Sequence, residues 1–123
     1  MKIEDIKFKA IRLDNEEWIE GSLLRSTAGI KEKAYIVDSF SSMSDYSVVG
    51  INPLTVCQFT GLTDKNEIPI YEGDIVIYKD NNVERRGVIT WDNESIAFCF
   101  GKGFFLCHFP TKNMVVIGNK FDK

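Results

Sequence analysis

The sequence is poor in the residues that build metal centres and thiol–imidazole pairs: its 123 positions hold one histidine and three cysteines. A structural zinc site needs about four Cys or His ligands, and Cys57, Cys99 and Cys107 form no Cys-x-x-Cys pair. Cys107 and His108 are adjacent, so on a strand they face opposite sides and cannot readily share an ion or act as a catalytic pair. No metal and no cofactor is expected. An odd number of scattered cysteines suits reduced thiols in a reducing compartment. Long apolar runs are missing too, with nothing near the roughly 20 residues a membrane-spanning helix needs. The opening Met1-Lys2-Ile3-Glu4-Asp5 goes straight into mixed charge, without a signal segment. The expected location is therefore the cytoplasm, with no membrane contact. Positive charge is not in excess either. Fifteen Lys and Arg against eighteen Asp and Glu give a net charge of -3 and a pI near 5.2, which disfavours a phosphate-driven nucleic-acid binder. Residues 1–61 carry seven basic and nine acidic side chains and residues 62–123 carry eight and nine, so neither half hides a basic domain.

Recognisable reaction motifs are lacking as well. There is no Gly-x-Ser-x-Gly, P-loop or dinucleotide fingerprint, and Gly101-Lys102-Gly103 is too short to cradle a phosphate. Carboxylates do occur in pairs, Glu72 with Asp74 and Asp92 with Glu94. Acid–base work needs a pocket that separates their pKa values, which spacing alone does not supply. Asp74, just ahead of a strand, is better suited to accept backbone amides in a turn. A non-enzyme is expected; a carboxylate hydrolase would require a concave site where two acids converge.

What is present is period-two alternation broken by turn residues, in a chain that is 44% hydrophobic and 27% charged. Strands are expected at Ile6–Ala10, Trp18–Leu24, Ala34–Val37 and Tyr46–Ile51, with turns at Asp14–Glu16 and Ser26–Gly29. Gly21 falls mid-strand and marks a bulge or a close approach. The serine-rich stretch Asp38–Asp45 reads as a mobile loop. Asn52-Pro53 predicts one capped helical turn to about Val56, and Val56–Phe59 another strand. Pro69 belongs at an edge or in a connection. From Asp74 onwards five strands are expected, at 75–79, 83–91, 95–100, 104–109 and 113–117. That spacing suggests a small barrel. The fold class is thus mainly β with little helix: an N-terminal strand-rich lobe at 1–57, a connection at 58–73, and an SH3-like barrel at 74–123, as one compact unit.

Two constellations stand out in the second half. Trp91, Phe98, Phe100, Phe104, Phe105 and Phe109 fall within twenty residues. Several buried Phe side chains would anchor a barrel core at roughly 1.5–3 kcal/mol each. Because Phe104 and Phe105 are consecutive, at least one of them needs a partner outside that core, and an exposed aromatic patch marks an interface. Arg85, Arg86, Lys79 and Lys102 lie beside those aromatics, as a single-strand binder would require, but Asp80, Glu84, Asp92 and Glu94 dilute them and favour a solvated face.

The segment Gln58-Phe59-Thr60-Gly61-Leu62-Thr63-Asp64-Lys65-Asn66, followed by Ile70-Tyr71-Glu72-Gly73-Asp74-Ile75-Val76, resembles the signature of the YopX-like proteins of phages and prophages. Ile6–Ala10, Glu17-Trp18-Ile19-Glu20-Gly21, Asn52-Pro53-Leu54-Thr55-Val56 and Val116-Ile117-Gly118-Asn119 fit the same pattern in the same order. The resemblance implies a mostly β, cytoplasmic protein of a bacterial host and supplies no catalytic residue to transfer. Glu67 departs from it, since relatives often have Gly after Asn, and Asn-Glu does not favour a two-residue hairpin turn. Gly61 and Gly73 are expected to supply unusual backbone angles, with Tyr71 pinning the loop and Asp74 holding the turn. That loop is either a structural clasp joining the two lobes or a recognition loop held rigidly for a partner. The functional expectation is a non-catalytic protein-interaction or self-assembling module, meeting copies of itself or other phage or host proteins through Trp91, Phe104 and Phe105. The alternative is weak nucleic-acid binding through Arg85, Arg86 and Lys102.

Overall fold

The computed structural model describes residues 2–26, 29, 33–101 and 104–122. The chain forms two compact units, Met1–Gln58 and Phe59–Lys123. Both are β. Among the described residues the helical pieces are short 3-10 turns, at Ile3–Asp5, Pro53–Thr55, Leu106–His108 and Thr111–Asn113, and no helix is long and apolar enough to cross a membrane.

In the first unit β1 (Phe8–Ile11), β2 (Trp18–Ser26), β3 (Lys33–Ser42) and β4 (Asp45–Ile51) pair antiparallel in the order β4-β3-β2-β1. Alternation turns one face inward, and Ala10, Ile19, Ala34, Ile36 and Ile51 make the core, flanked by Phe8, Leu23, Val49 and Val56. Gly21 is a close approach, because a side chain there would run into the Val37 carbonyl and the Ile36 methyl. The Asn52 side chain accepts from the Leu54 amide at 3.1 Å and starts the turn at Pro53, as the Asn-Pro pair predicts. Cys57 and Gln58 open β5 (Cys57–Thr63) and pair with β1.

The serine-rich stretch is not a loop. Ser39, Phe40 and Ser42 lie in β3 opposite Ser47, Tyr46 and Asp45, with bulges that shift the register. Serine contributes the same backbone donors and acceptors to a ladder as any residue. Here Phe40 meets Tyr46 at 6.2 Å, and the Ser41 hydroxyl donates to Asp45 Oδ2 at 2.7 Å. The turn expected at Ser26–Gly29 falls largely on residues outside the described set.

In the second unit β5 continues through a bulge and pairs with the short edge strand β6 (Pro69–Tyr71), where Pro69 fits an edge. A four-stranded antiparallel sheet follows, ordered β10-β7-β8-β9: β7 (Asp74–Asp80), β8 (Val83–Asp92), β9 (Ala97–Phe100) and β10 (Met114–Asn119). Its core is Ile70, Val76, Tyr78, Ile89, Phe100, Leu106 and Met114. The strand expected at 104–109 is instead a 3-10 turn held by one bridge, Cys99 to Phe105. Leu106 is buried and Phe109 packs on the same core. Residues three apart face the same way in a 3-10 turn but opposite ways in a strand, so packing both inward selects the turn.

Candidate functional site

The connection around 58–73 is built on two carboxylates. Asp64 and Asp74 are both buried, and charged groups go inside only when paired. Asp64 Oδ1 accepts the amides of Asn66 (2.8 Å) and Ile68 (3.0 Å). Its Oδ2 takes the Val116 amide on β10 at 2.9 Å. Asp74 Oδ2 accepts the Tyr71 amide at 2.7 Å, and Oδ1 accepts the Asn119 side-chain amide at 2.9 Å. Asn119 Oδ1 in turn accepts from the Phe121 amide. Gly61 and Gly73 both take a φ of +87°, in the region glycine enters without strain. Tyr71 is buried against Phe59, with ring centroids 5.5 Å apart. The turn after Asp64 is wider than a two-residue hairpin, with Lys65, Asn66 and Glu67 between the Asp64 amide and the Ile68 carbonyl it meets at 2.8 Å, and Glu67 adopts a φ of +63°. These partners all lie within the second unit, so the signature acts there as a clasp between its loop, β7 and β10.

The basic and aromatic residues do not form one patch. Arg85 lies over the exposed Phe104 ring at 5.2 Å. Phe104 continues into Phe109 (6.0 Å) and from there into Tyr78 and Phe100 of the core. Arg86 follows Arg85 on β8 and points to the other face. Trp91 packs edge-on against Phe98 at 5.0 Å, and its Nε1 donates to Asn93 Oδ1 at 2.7 Å. Phe105 is half-buried and meets His108 at 5.6 Å. Lys102 lies outside the described residues.

Two surfaces escaped the sequence reading. From Asp38 to Tyr46 every residue of the β3–β4 hairpin is exposed. That outer half carries Phe40, Met43 and Tyr46, with Met43 84% exposed. The flanking aromatics were the available signal, and the serines masked it. The second surface is a cleft of about 280 Å³ in the Phe59–Lys123 unit, lined by Lys65, Lys79, Lys112, Asn113, Ile77 and Val115.

Among the described residues no three Cys, His, Asp or Glu side chains converge as metal ligands. Asp92, the last residue of β8, is held below the usual carboxylate range by the Ser95 hydroxyl and the Glu94 amide. Burial pushes the Cys99 thiol up. Over residues 7–123 the chain matches the family described as YopX protein. No curated protein matches it.

Proposed function

The chain belongs to the YopX family, and from its surfaces we propose that it is a non-catalytic, self-assembling protein-interaction module, of phage or prophage origin and acting in the host cytoplasm. The observation that carries this reading is the outer half of the β3–β4 hairpin. Nine consecutive exposed residues there present Phe40, Met43 and Tyr46 while adding nothing to the core. β4 is also an edge strand, and an edge offers unpaired backbone groups to another chain. The hydrogen-bonding of Asp64 and Asp74 supports a structural role for the signature carboxylates. Origin and location rest on the family resemblance and on the cysteines, none of which forms a disulfide.

Light scattering of the full chain tests the proposal. A mass above 14.0 kDa that grows with concentration is expected, and Phe40→Ser with Tyr46→Ser reduces it. A monomer at every concentration ends the reading. Weak nucleic-acid binding has less support, because Arg85 is stacked on Phe104 and Arg86 points away from it. A titration with single-stranded oligonucleotide in low salt, where phosphate contacts are strongest, is expected to show no binding.

A further inference from the structure

The lysine-lined cleft and the tip of the β8–β9 hairpin are complementary in charge. The cleft gathers Lys65 from the signature turn, Lys79 from the end of β7 and Lys112 from the 3-10 turn before β10, around a floor of Ile77 and Val115. The register sets Ile77 directly opposite Val115, so the floor is continuous across two strands. Arg86, opposite Ile77 on β8, adds a further positive charge to that face. Lys79 lies 3.8 Å from Glu84, whereas among the described residues Lys65 and Lys112 meet no carboxylate. A volume of about 280 Å³ is below the usual range for small-molecule pockets, roughly 300–1,000 Å³. It suits one branched side chain better than a nucleotide, and no aromatic lines it for base stacking.

The tip has the opposite character. Asp92 and Glu94 precede Ile96 in the same turn, and Ile96 is 75% exposed and adopts a φ of +52°. A β-branched residue there is strained by roughly 1–3 kcal/mol. The tip is also ordered in advance: Asp92 Oδ1 accepts the Glu94 amide at 3.0 Å, and Trp91 is tied to Asn93. Ordering before contact lowers the entropy cost of association.

We propose that the Asp92–Ile96 tip of one copy docks in the Lys65/Lys79/Lys112 cleft of a second copy, with Ile96 on the Ile77–Val115 floor and Glu94 between the free lysines. The two surfaces differ, so the contact is head-to-tail and propagates into a ring or a filament. This rests on the self-assembly reading but uses surfaces other than the β3–β4 hairpin.

The test is light scattering and sedimentation of the full chain and its charge variants. In the wild type, assembly weakens in high salt. Glu94→Lys and the pair Lys65→Glu with Lys112→Glu each weaken it by about tenfold or more in dissociation constant. Mixing the two variants restores growth with the two alternating, because the reversed tip of one meets the reversed cleft of the other while the remaining tip and cleft are both intact and still match. Ile96→Gly serves as the folding control, raising the unfolding midpoint while weakening assembly. A monomeric wild type overturns both this contact and the self-assembly reading. A wild type that assembles, with charge variants of unchanged mass, overturns this contact alone. An oligonucleotide held in low salt and lost with Lys65→Glu and Lys112→Glu would reassign the cleft to phosphate.

Discussion

Asp74 shows how one side chain organises its surroundings. Fully buried, it answers the Tyr71 amide and the Asn119 side chain. Asp74→Ala leaves both donors without these acceptors and is expected to cost about 3 kcal/mol in urea unfolding. Glu67 works the other way. It occupies a left-handed conformation that costs an L-residue roughly 1–2 kcal/mol, so Glu67→Gly should stabilise by about 1 kcal/mol once glycine's greater chain entropy is subtracted. The cysteines give a third test. Cys107 is exposed and Cys57 and Cys99 are buried, so Cys107 is expected to react quickly with a thiol reagent and the other two only on unfolding. The Cys99 thiol pKa is raised by burial. A folded pKa above the unfolded value contributes stability below the unfolded pKa, roughly 8.5, and that contribution is lost as pH rises through the folded value. The unfolding midpoint should therefore fall in alkali, with a shallower fall in Cys99→Ala. The asparagine cap at position 52 and the positive φ of Gly61 and Gly73 were legible in the sequence, because each depends on its immediate neighbours.

The β3–β4 hairpin divides into a part that holds the fold and a part that does not. Ile36 sits at the centre of the first core, and Ile36→Ala is expected to lose about 2–5 kcal/mol. Phe40, farther along the same strand, has the paired ring of Tyr46 but no core contact. Phe40→Ser should cost no more than about 1 kcal/mol in stability while reducing assembly. Denaturant unfolding read beside light scattering separates the two effects. The sequence misplaced this element because serine favours turns through its side chain, yet pairs through its backbone once a neighbouring strand is available. The stretch at 104–109 failed for a related reason. Its apolar content matches a strand, but Leu106 and Phe109 are three apart and both pack inward, and only the tertiary packing made that spacing decisive.

Each unit of the molecule has its own core and its own tryptophan, Trp18 in Met1–Gln58 and Trp91 in Phe59–Lys123. With Trp91→Phe or Trp18→Phe leaving a single reporter, Ile36→Ala is expected to lower the unfolding midpoint at Trp18 more than at Trp91. Equal shifts at both would mean that the units unfold as one. By itself the sequence determined the β class, the positions of most strands and turns, and the family signature. Each of these follows from alternation, turn chemistry and spacing among residues close along the chain. Tertiary structure alone decided that Asp64 reaches Val116, fifty-two positions away, that Arg85 and Arg86 separate, and that Lys65, Lys79 and Lys112 gather over Ile77 and Val115. Such meetings depend on which strands pair and in what register, and a one-residue slip would turn every side chain of a strand to the other face.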